Sequence, residues 1–183
     1  MKLTHYAKLN LPFEFIPIDP CHDMVKSNLC RYDDKQHPEV LDFLNSLGLE
    51  SIRVGALQFS VPAGKDIVVH ADGREFSHLT KLNFVFGGYN NQTVWHHGGE
   101  HNVVRKTTPT NEPYIAPQDL SLLKEASRAS IDGACLFDAG VFHSLTNPSE
   151  YLYCVSFSLW DTQTNSNLQW DKALDIFAPW LHC

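Results

Sequence analysis

Three side chains stand out for the chemistry they could do: His70, Asp72 and His143. His70-Ala71-Asp72 closes the apolar run Ile67-Val68-Val69 and is followed by Gly73. If that run is a β-strand, His70 and Asp72 point to one side of a sheet, because side chains alternate with period two. An imidazole and a carboxylate on one side supply two ligands of a facial metal site. The pattern alone carries little weight. Ten histidines and thirteen aspartates in 183 residues produce about 0.7 His-x-Asp pairs by chance. Position raises its weight. The pair sits at a strand end before a turn, and the segment Phe137 to Asn147 carries a lone histidine, His143, just after the turn Ala139-Gly140. The intervening chain is long enough for roughly four or five strands to wind back to the same place.

Two other histidine clusters compete. His37-Pro38-Glu39 opens a predicted helix, where residues two apart do not share a face. His97-Gly98-Gly99-Glu100-His101 has two histidines four apart, as on a zinc-binding helix. Its paired glycines argue for a loop, which could line a pocket mouth.

The elements that must position the three residues are mostly short strands. His37 to Gly48 reads as a helix, with proline in the first turn and glycine at its end. From about Ile52 the period becomes strand-like. Strands are predicted at 53–61, 66–70, 80–86, 92–96, 102–105, 133–138, 141–147 and 151–160, divided by Gly, Pro and Asn turns. Leu11 to Pro20, with alternating apolar residues and three prolines, reads as an edge strand or extended arm. Arg31 to Lys35 and residues 106–118 read as loops, and Asp119 to Ala126 as either a helical turn or a strand. Leu168 to Ala178 reads as a closing helix, stopped by Pro179. Many short strands with such turns suggest a sandwich or barrel. No internal repeat or linker divides the chain, so one domain over 1–183 is expected: an arm and helix over 1–50, a β core over about 52–160, and a helix at about 168–178.

Hydrophobic residues make up 43% of the chain, which suits a globular protein. A net charge of −7 with few, scattered Lys and Arg argues against nucleic acid as a partner. No stretch is long and apolar enough for a membrane span, and the N-terminus lacks a signal-peptide core. Five irregularly spaced cysteines (Cys21, Cys30, Cys135, Cys154, Cys183) fit reduced thiols, so a cytoplasmic protein is expected.

With these residues in place, the sequence resembles the double-stranded β-helix (cupin-like jelly-roll) proteins, and among them the iron(II)/2-oxoglutarate-dependent oxygenases. The motif is His-x-Asp followed by a distal His, here His70, Asp72 and His143. The Gly-x-x-His element followed by Asn (Gly140, His143, Asn147) fits the second half of such barrels. Lys81-Leu82-Asn83 resembles the basic residue and Asn found on the next strand in aspartyl/asparaginyl β-hydroxylase-like and phage-type oxygenase-like proteins. The likeness covers roughly residues 37 to 160.

The resemblance implies iron(II) held by the triad, 2-oxoglutarate as co-substrate, and hydroxylation of a small molecule or peptide. Most such oxygenases carry an Arg or Lys about ten residues after the distal His. Here Glu150 to Ser156 holds none. Lys81 or Arg74 could substitute, with Tyr153 or Ser156 helping. Asn83 and Thr93 are candidate polar contacts, and Asn147 a candidate partner orienting His143. Phe84, Phe86, Trp95 and Phe142 could exclude water or simply form core. Two other readings stay open: a metal-binding cupin that does not use 2-oxoglutarate, and a non-catalytic jelly-roll binding module.

Overall fold

The computed structural model describes residues 5–17, 29–51, 56–75, 79–108, 111–146 and 149–182. Fourteen strands among them form two antiparallel sheets. Eight strands make the body: β4 (Ala56–Val61), β5 (Ile67–Asp72), β6 (Thr80–Gly87), β7 (Gln92–His97), β10 (Lys124–Ala129), β11 (Gly133–Asp138), β12 (Phe142–Thr146) and β13 (Leu152–Asp161). In the larger sheet the neighbours run β11-β6-β13-β4, and in the smaller β10-β7-β12-β5. The chain crosses between sheets at nearly every turn. This order is that of a double-stranded β-helix, the jelly roll expected from the sequence.

Further strands extend both sheets. β1 (Tyr6–Lys8) pairs with β11 and β2 (Leu29–Tyr32) with β4. β3 (Leu49–Ser51) and β14 (Ser166–Asn167) pair with β13. On the smaller sheet, β8 (Val103–Thr107) and β9 (Pro113–Pro117) form a hairpin that joins β5 through Ala71–Ile115 and Asp72–Tyr114. The outer strands carry exposed charges, Arg105 and Lys106 on β8 and Lys124 and Glu125 on β10, which discourages edge-to-edge association.

Two sequence expectations change here. Residues 106–118 hold the end of β8 and all of β9 rather than a loop, with prolines at both ends of a strand near the sheet edge, where a missing donor is tolerated. The closing helix is shorter than expected: α2 spans Trp170–Ile176, because Ser166–Asn167 first pairs with Trp160 and Asp161. Asp119 to Ala126 contains both options, one 3-10 turn (Leu120–Leu122) and then the start of β10. Arg31 to Lys35 is half strand and half 3-10 turn. Leu11 to Pro17 forms no strand and bends at Pro12 and Phe13, and the rest of that stretch lies outside the described residues, as does the 53–55 start of the strand expected at 53–61.

Period two sorts β6 and β13 into two faces. Leu82, Phe84, Val155, Phe157 and Leu159 face outward, under α1 (Pro38–Ser46), α2 and the N-terminal arm. Phe15 of the arm stacks on Phe84 at 4.0 Å. Lys81, Asn83, Cys154, Ser156 and Ser158 face inward, between the sheets. β13 is buried along nearly its whole length because both faces are covered. The β6–β7 turn needs glycine. Gly87 and Gly88 both have φ of 66°, a left-handed conformation disfavoured for other residues, and a Cβ on Gly87 would strike the Tyr151 carbonyl oxygen.

Candidate metal centre

His70 and His143 lie opposite each other on the antiparallel pair β5–β12. Their rings are 4.4 Å apart. Asp72, two residues further along β5, presents Oδ1 at 3.4 Å from His70 Nε2. One ligand atom from each of the three lies within 4.8 Å of the others. Among the described residues this is the one group of three or more His, Cys, Asp or Glu side chains so gathered. The sequence spacing and the strand pairing therefore converge on the same three residues.

Each imidazole is oriented by its own strand. His70 Nδ1 donates to the Val68 carbonyl at 2.9 Å, and His143 Nδ1 to the Val141 carbonyl at 2.8 Å. A carbonyl only accepts, so the neutral rings carry hydrogen on Nδ1 and present the Nε2 lone pair. His143 is further held by the edge of Phe137, at 4.9 Å between rings, and lies beside Trp95 on β7. Trp95 is fixed by its indole N–H donating to the Asp138 carbonyl at 3.0 Å.

The three side chains are shifted in different directions. Burial, and then the neighbouring His70, hold His143 down to about 3, so it is neutral at neutral pH. Burial would raise Asp72, but Lys81, then His70 and His143, keep it well below the usual carboxylate range. Burial would lower His70, yet its hydrogen bond and charge interaction with Asp72 raise it. Lys81 Nζ reaches Asp72 Oδ2 at 2.5 Å. Asp72 thus shares its two oxygens between the histidine side and the lysine side.

The strand pairing contains one irregularity. Between His143 and Leu145 the partner on β5 moves from His70 to Ile67. A bulge adds a residue to β5 and re-aims side chains; Ile67 is half-buried, while its neighbour Val68 is 74% exposed.

The triad opens into a cavity of about 780 Å³ between the sheets. Lys81, Asn83, Thr93 and Ser156 line it. Ser156 Oγ donates to Asn83 Oδ1 at 2.6 Å. Thr93 is 1% exposed and its hydroxyl has no hydrogen-bond partner among the described residues. Tyr153 does not line the cavity. It follows Leu152 and precedes Cys154, so alternation turns it to the outer face, where its ring lies 5.9 Å from Phe86. The same rule removes Phe84 and Phe86 from the site. Trp95 backs the histidines, and Phe142 packs outward against Ala71 and Ile115. Arg74 is exposed beyond the strand end, and Asn147 lies outside the described residues.

The competing histidines separate. His37 precedes α1 as its N-cap with φ of −126°, outside helical geometry. Contrary to the helical expectation, its side chain therefore does meet Glu39, Nδ1 to Oε1 at 2.8 Å. His97 ends β7, and Glu100 turns back to accept from the Gly98 N–H at 2.8 Å. With His96, Asp138 and Trp170 they border a separate cavity of about 370 Å³.

Sequence reasoning missed Tyr114, Phe137 and Ser158 as site neighbours. Tyr114 lies opposite Asp72 on β9, its ring 6.0 Å from His70 and edge-on to it. The run Tyr114-Ile115-Ala116 between prolines was the available signal for its strand.

The fold and the site together define a double-stranded β-helix carrying a potential His-Asp-His metal centre. No family model and no curated protein matches the chain. Among solved structures it is similar to procruciferin, an 11S globulin from Brassica napus, at 13% identity and a TM-score of 0.34, over 77% of this chain and 25% of that one. It is also similar to Peruvianin-I, a cysteine peptidase from Thevetia peruviana latex, at 16% identity and a TM-score of 0.32, over 91% and 92%. At these scores the fold assignment rests on the strand order. The chain spans a quarter of the procruciferin chain it matches.

Proposed function

We propose that this chain is an iron(II)-dependent oxygenase that uses a 2-oxo acid as co-substrate and hydroxylates a small molecule or peptide side chain. The observation that carries the reading is the convergence of two imidazoles, each tied back by its Nδ1, and one carboxylate on the wall of a cavity between the sheets. Two imidazoles and one carboxylate on one face are the donor set of non-haem iron(II) oxygenases, which keeps the other positions open. When bound, iron(II) would supply dioxygen activation, with one 2-oxo acid, one O₂ and one C–H bond giving CO₂, the shortened carboxylic acid and an alcohol. The chain's own contribution is placement. His70, Asp72 and His143 would hold the ion, Lys81 would neutralise anionic charge beside it, and Asn83, Thr93 and Ser156 would offer hydrogen bonds deeper inside. 2-Oxoglutarate is the co-substrate that the sequence resemblance implies.

A second reading is favoured by one observation: Lys81 is already engaged by Asp72. On that reading the protein is a metal-binding jelly roll that turns over no 2-oxo acid. The two separate by experiment. Untagged protein is loaded anaerobically with iron(II), and metal content is measured for the wild type and for Asp72→Ala. Dioxygen uptake and CO₂ release are then followed with 2-oxoglutarate and other 2-oxo acids. Stoichiometric iron that Asp72→Ala fails to retain supports the metal centre. CO₂ release supports the oxygenase, and its absence with every 2-oxo acid leaves the second reading. No retained iron in the wild type defeats both.

A further inference from the structure

The inner wall of the larger sheet changes chemistry row by row. At the metal end, Ser158, Lys81 and Phe137 lie side by side across β13, β6 and β11. The next row is Leu57, Ser156 and Asn83. The third is Phe59, Cys154 and Val85, and the fourth ends at Val61 and Leu152. The facing sheet follows the same gradient. His70 and His143 form its first row, and Ile67, Leu145 and Thr93 the second. Charge, then neutral hydrogen-bonding groups, then hydrocarbon succeed one another along this wall, and of its last two rows Phe59 and Val61 line the cavity.

Gly73, Thr107, Thr108, Pro113 and Tyr114 line the cavity at its metal end, from the end of β5 and the tip of the β8–β9 hairpin, and Pro62, Lys65 and Asp66 line it at the other. A ligand that chelates the metal and extends inward therefore carries its far end past Asn83, Ser156 and Thr93, toward Phe59, Val61, Ile67, Ile131 and Leu145. Two cations line the cavity among the described residues, Lys81 and Lys65. Lys81 sits at the metal row and is paired with Asp72. Lys65 is exposed in the β4–β5 turn at the far end, five residues from His70, or ~16 Å along an extended chain. The two carboxyl carbons of 2-oxoglutarate are at most about 6 Å apart. Its second carboxylate would thus lie among neutral groups and hydrocarbon, where an unpaired charge is strongly disfavoured.

The geometry points to a 2-oxo acid with an uncharged, mainly hydrocarbon side chain as the ligand that fills this cavity, in preference to 2-oxoglutarate. Its carboxylate and oxo group meet the metal beside Lys81, and its side chain takes the apolar compartment. This inference rests on the metal-centre reading above.

The test is equilibrium binding. Protein loaded anaerobically with iron(II) is titrated with 4-methyl-2-oxopentanoate and with 2-oxoglutarate, by calorimetry and by the visible charge-transfer band that a chelating 2-oxo acid gives with iron(II). The expected result is at least tenfold tighter binding of 4-methyl-2-oxopentanoate. Thr93→Lys, which places a cation in the second row, should move the preference toward 2-oxoglutarate by a similar factor. Circular dichroism and thermal melting of Thr93→Lys control for its folding. Lys65→Ala should leave both affinities unchanged. Equal or tighter binding of 2-oxoglutarate by the wild type overturns the inference, as does loss of 2-oxoglutarate affinity in Lys65→Ala or failure of 4-methyl-2-oxopentanoate to bind. Failure to take up iron overturns the metal-centre reading itself, and metal analysis before titration separates that result from the others.

Discussion

β6 and β13 lie side by side, yet their two faces do opposite work. On the outer face Phe84, Val155, Phe157 and the arm residue Phe15 stack into a dry core, with Phe84 and Phe157 ring centroids 5.9 Å apart. On the inner face, one residue along, Lys81, Asn83, Ser156 and Ser158 border open space. The outer face supplies burial, and burial is what drives folding. The inner face gives up burial for polar groups whose partners are each other or a ligand. A jelly roll can leave its interior partly polar because a separate core, built under helices and an arm, carries stability. The cost of the polar interior is concentrated where charge is buried, at Asp72 and Lys81.

Acid is the strongest way to break the comparison, because it acts on the inner face. His143 binds its proton only near pH 3, against 6.5 in an unfolded chain. Between those values the unfolded state holds more protons, so metal-free protein should lose stability steadily as pH falls from 6.5 toward 3. Asp72 adds to this, since its depressed folded pKa supports stability above the ordinary value and loses it as pH falls through the folded one. His70, raised in the fold, acts the other way, its contribution fading as pH rises through its folded value. Chemical denaturation at several pH values checks this, and His143→Gln should flatten the slope between 6.5 and 3. An unchanged slope would mean that His143 is not buried as described.

The next effect belongs to the outer face. Phe157→Ala should cost about 4 kcal/mol of stability and leave iron(II) affinity within about twofold of wild type, read by denaturation and metal titration on the same sample. Lys81→Met attacks the inner face. Leaving the half-buried Asp72 without its partner should cost about 2 kcal/mol in the metal-free protein, between the values for exposed and buried pairs. A divalent ion would then take over the compensation, so the deficit should shrink when the protein is loaded with metal; an equal deficit in both states would assign Lys81 a purely structural role. Smallest is Ser156→Ala, which removes one neutral hydrogen bond to Asn83 and should cost about 1 kcal/mol, with the effect visible in 2-oxo acid binding before it is visible in thermal melting.

Much of the site was legible in sequence. His70, Asp72 and His143 could be named because strand period and turn glycines place them without knowledge of pairing. Lys81, Asn83 and Ser156 share an inward face for the same reason, being separated by even numbers on their own strands or joined across the β6–β13 register. Tyr153 turns away from the cavity because its odd offset from Ser156 on one strand reverses direction. Arg74 is exposed beyond the end of β5. The β8–β9 hairpin, and with it Tyr114, was hidden by proline and threonine content that reads as loop until β5 is available to pair with.

Local covalent geometry is what the chain by itself determined: alternation along each strand, the glycine-dependent turns, and therefore which ligand types could share a face. It also determined the class of donor set, since two imidazoles and a carboxylate are a matter of residue type. Only the tertiary structure decided which side of each sheet became interior, that Lys81 lies against Asp72, and that the cavity behind the metal row turns from polar to hydrocarbon. Those features depend on cross-strand register and on two sheets closing over one another. Both are set by burial summed over residues far apart in sequence, so no local stretch contains them.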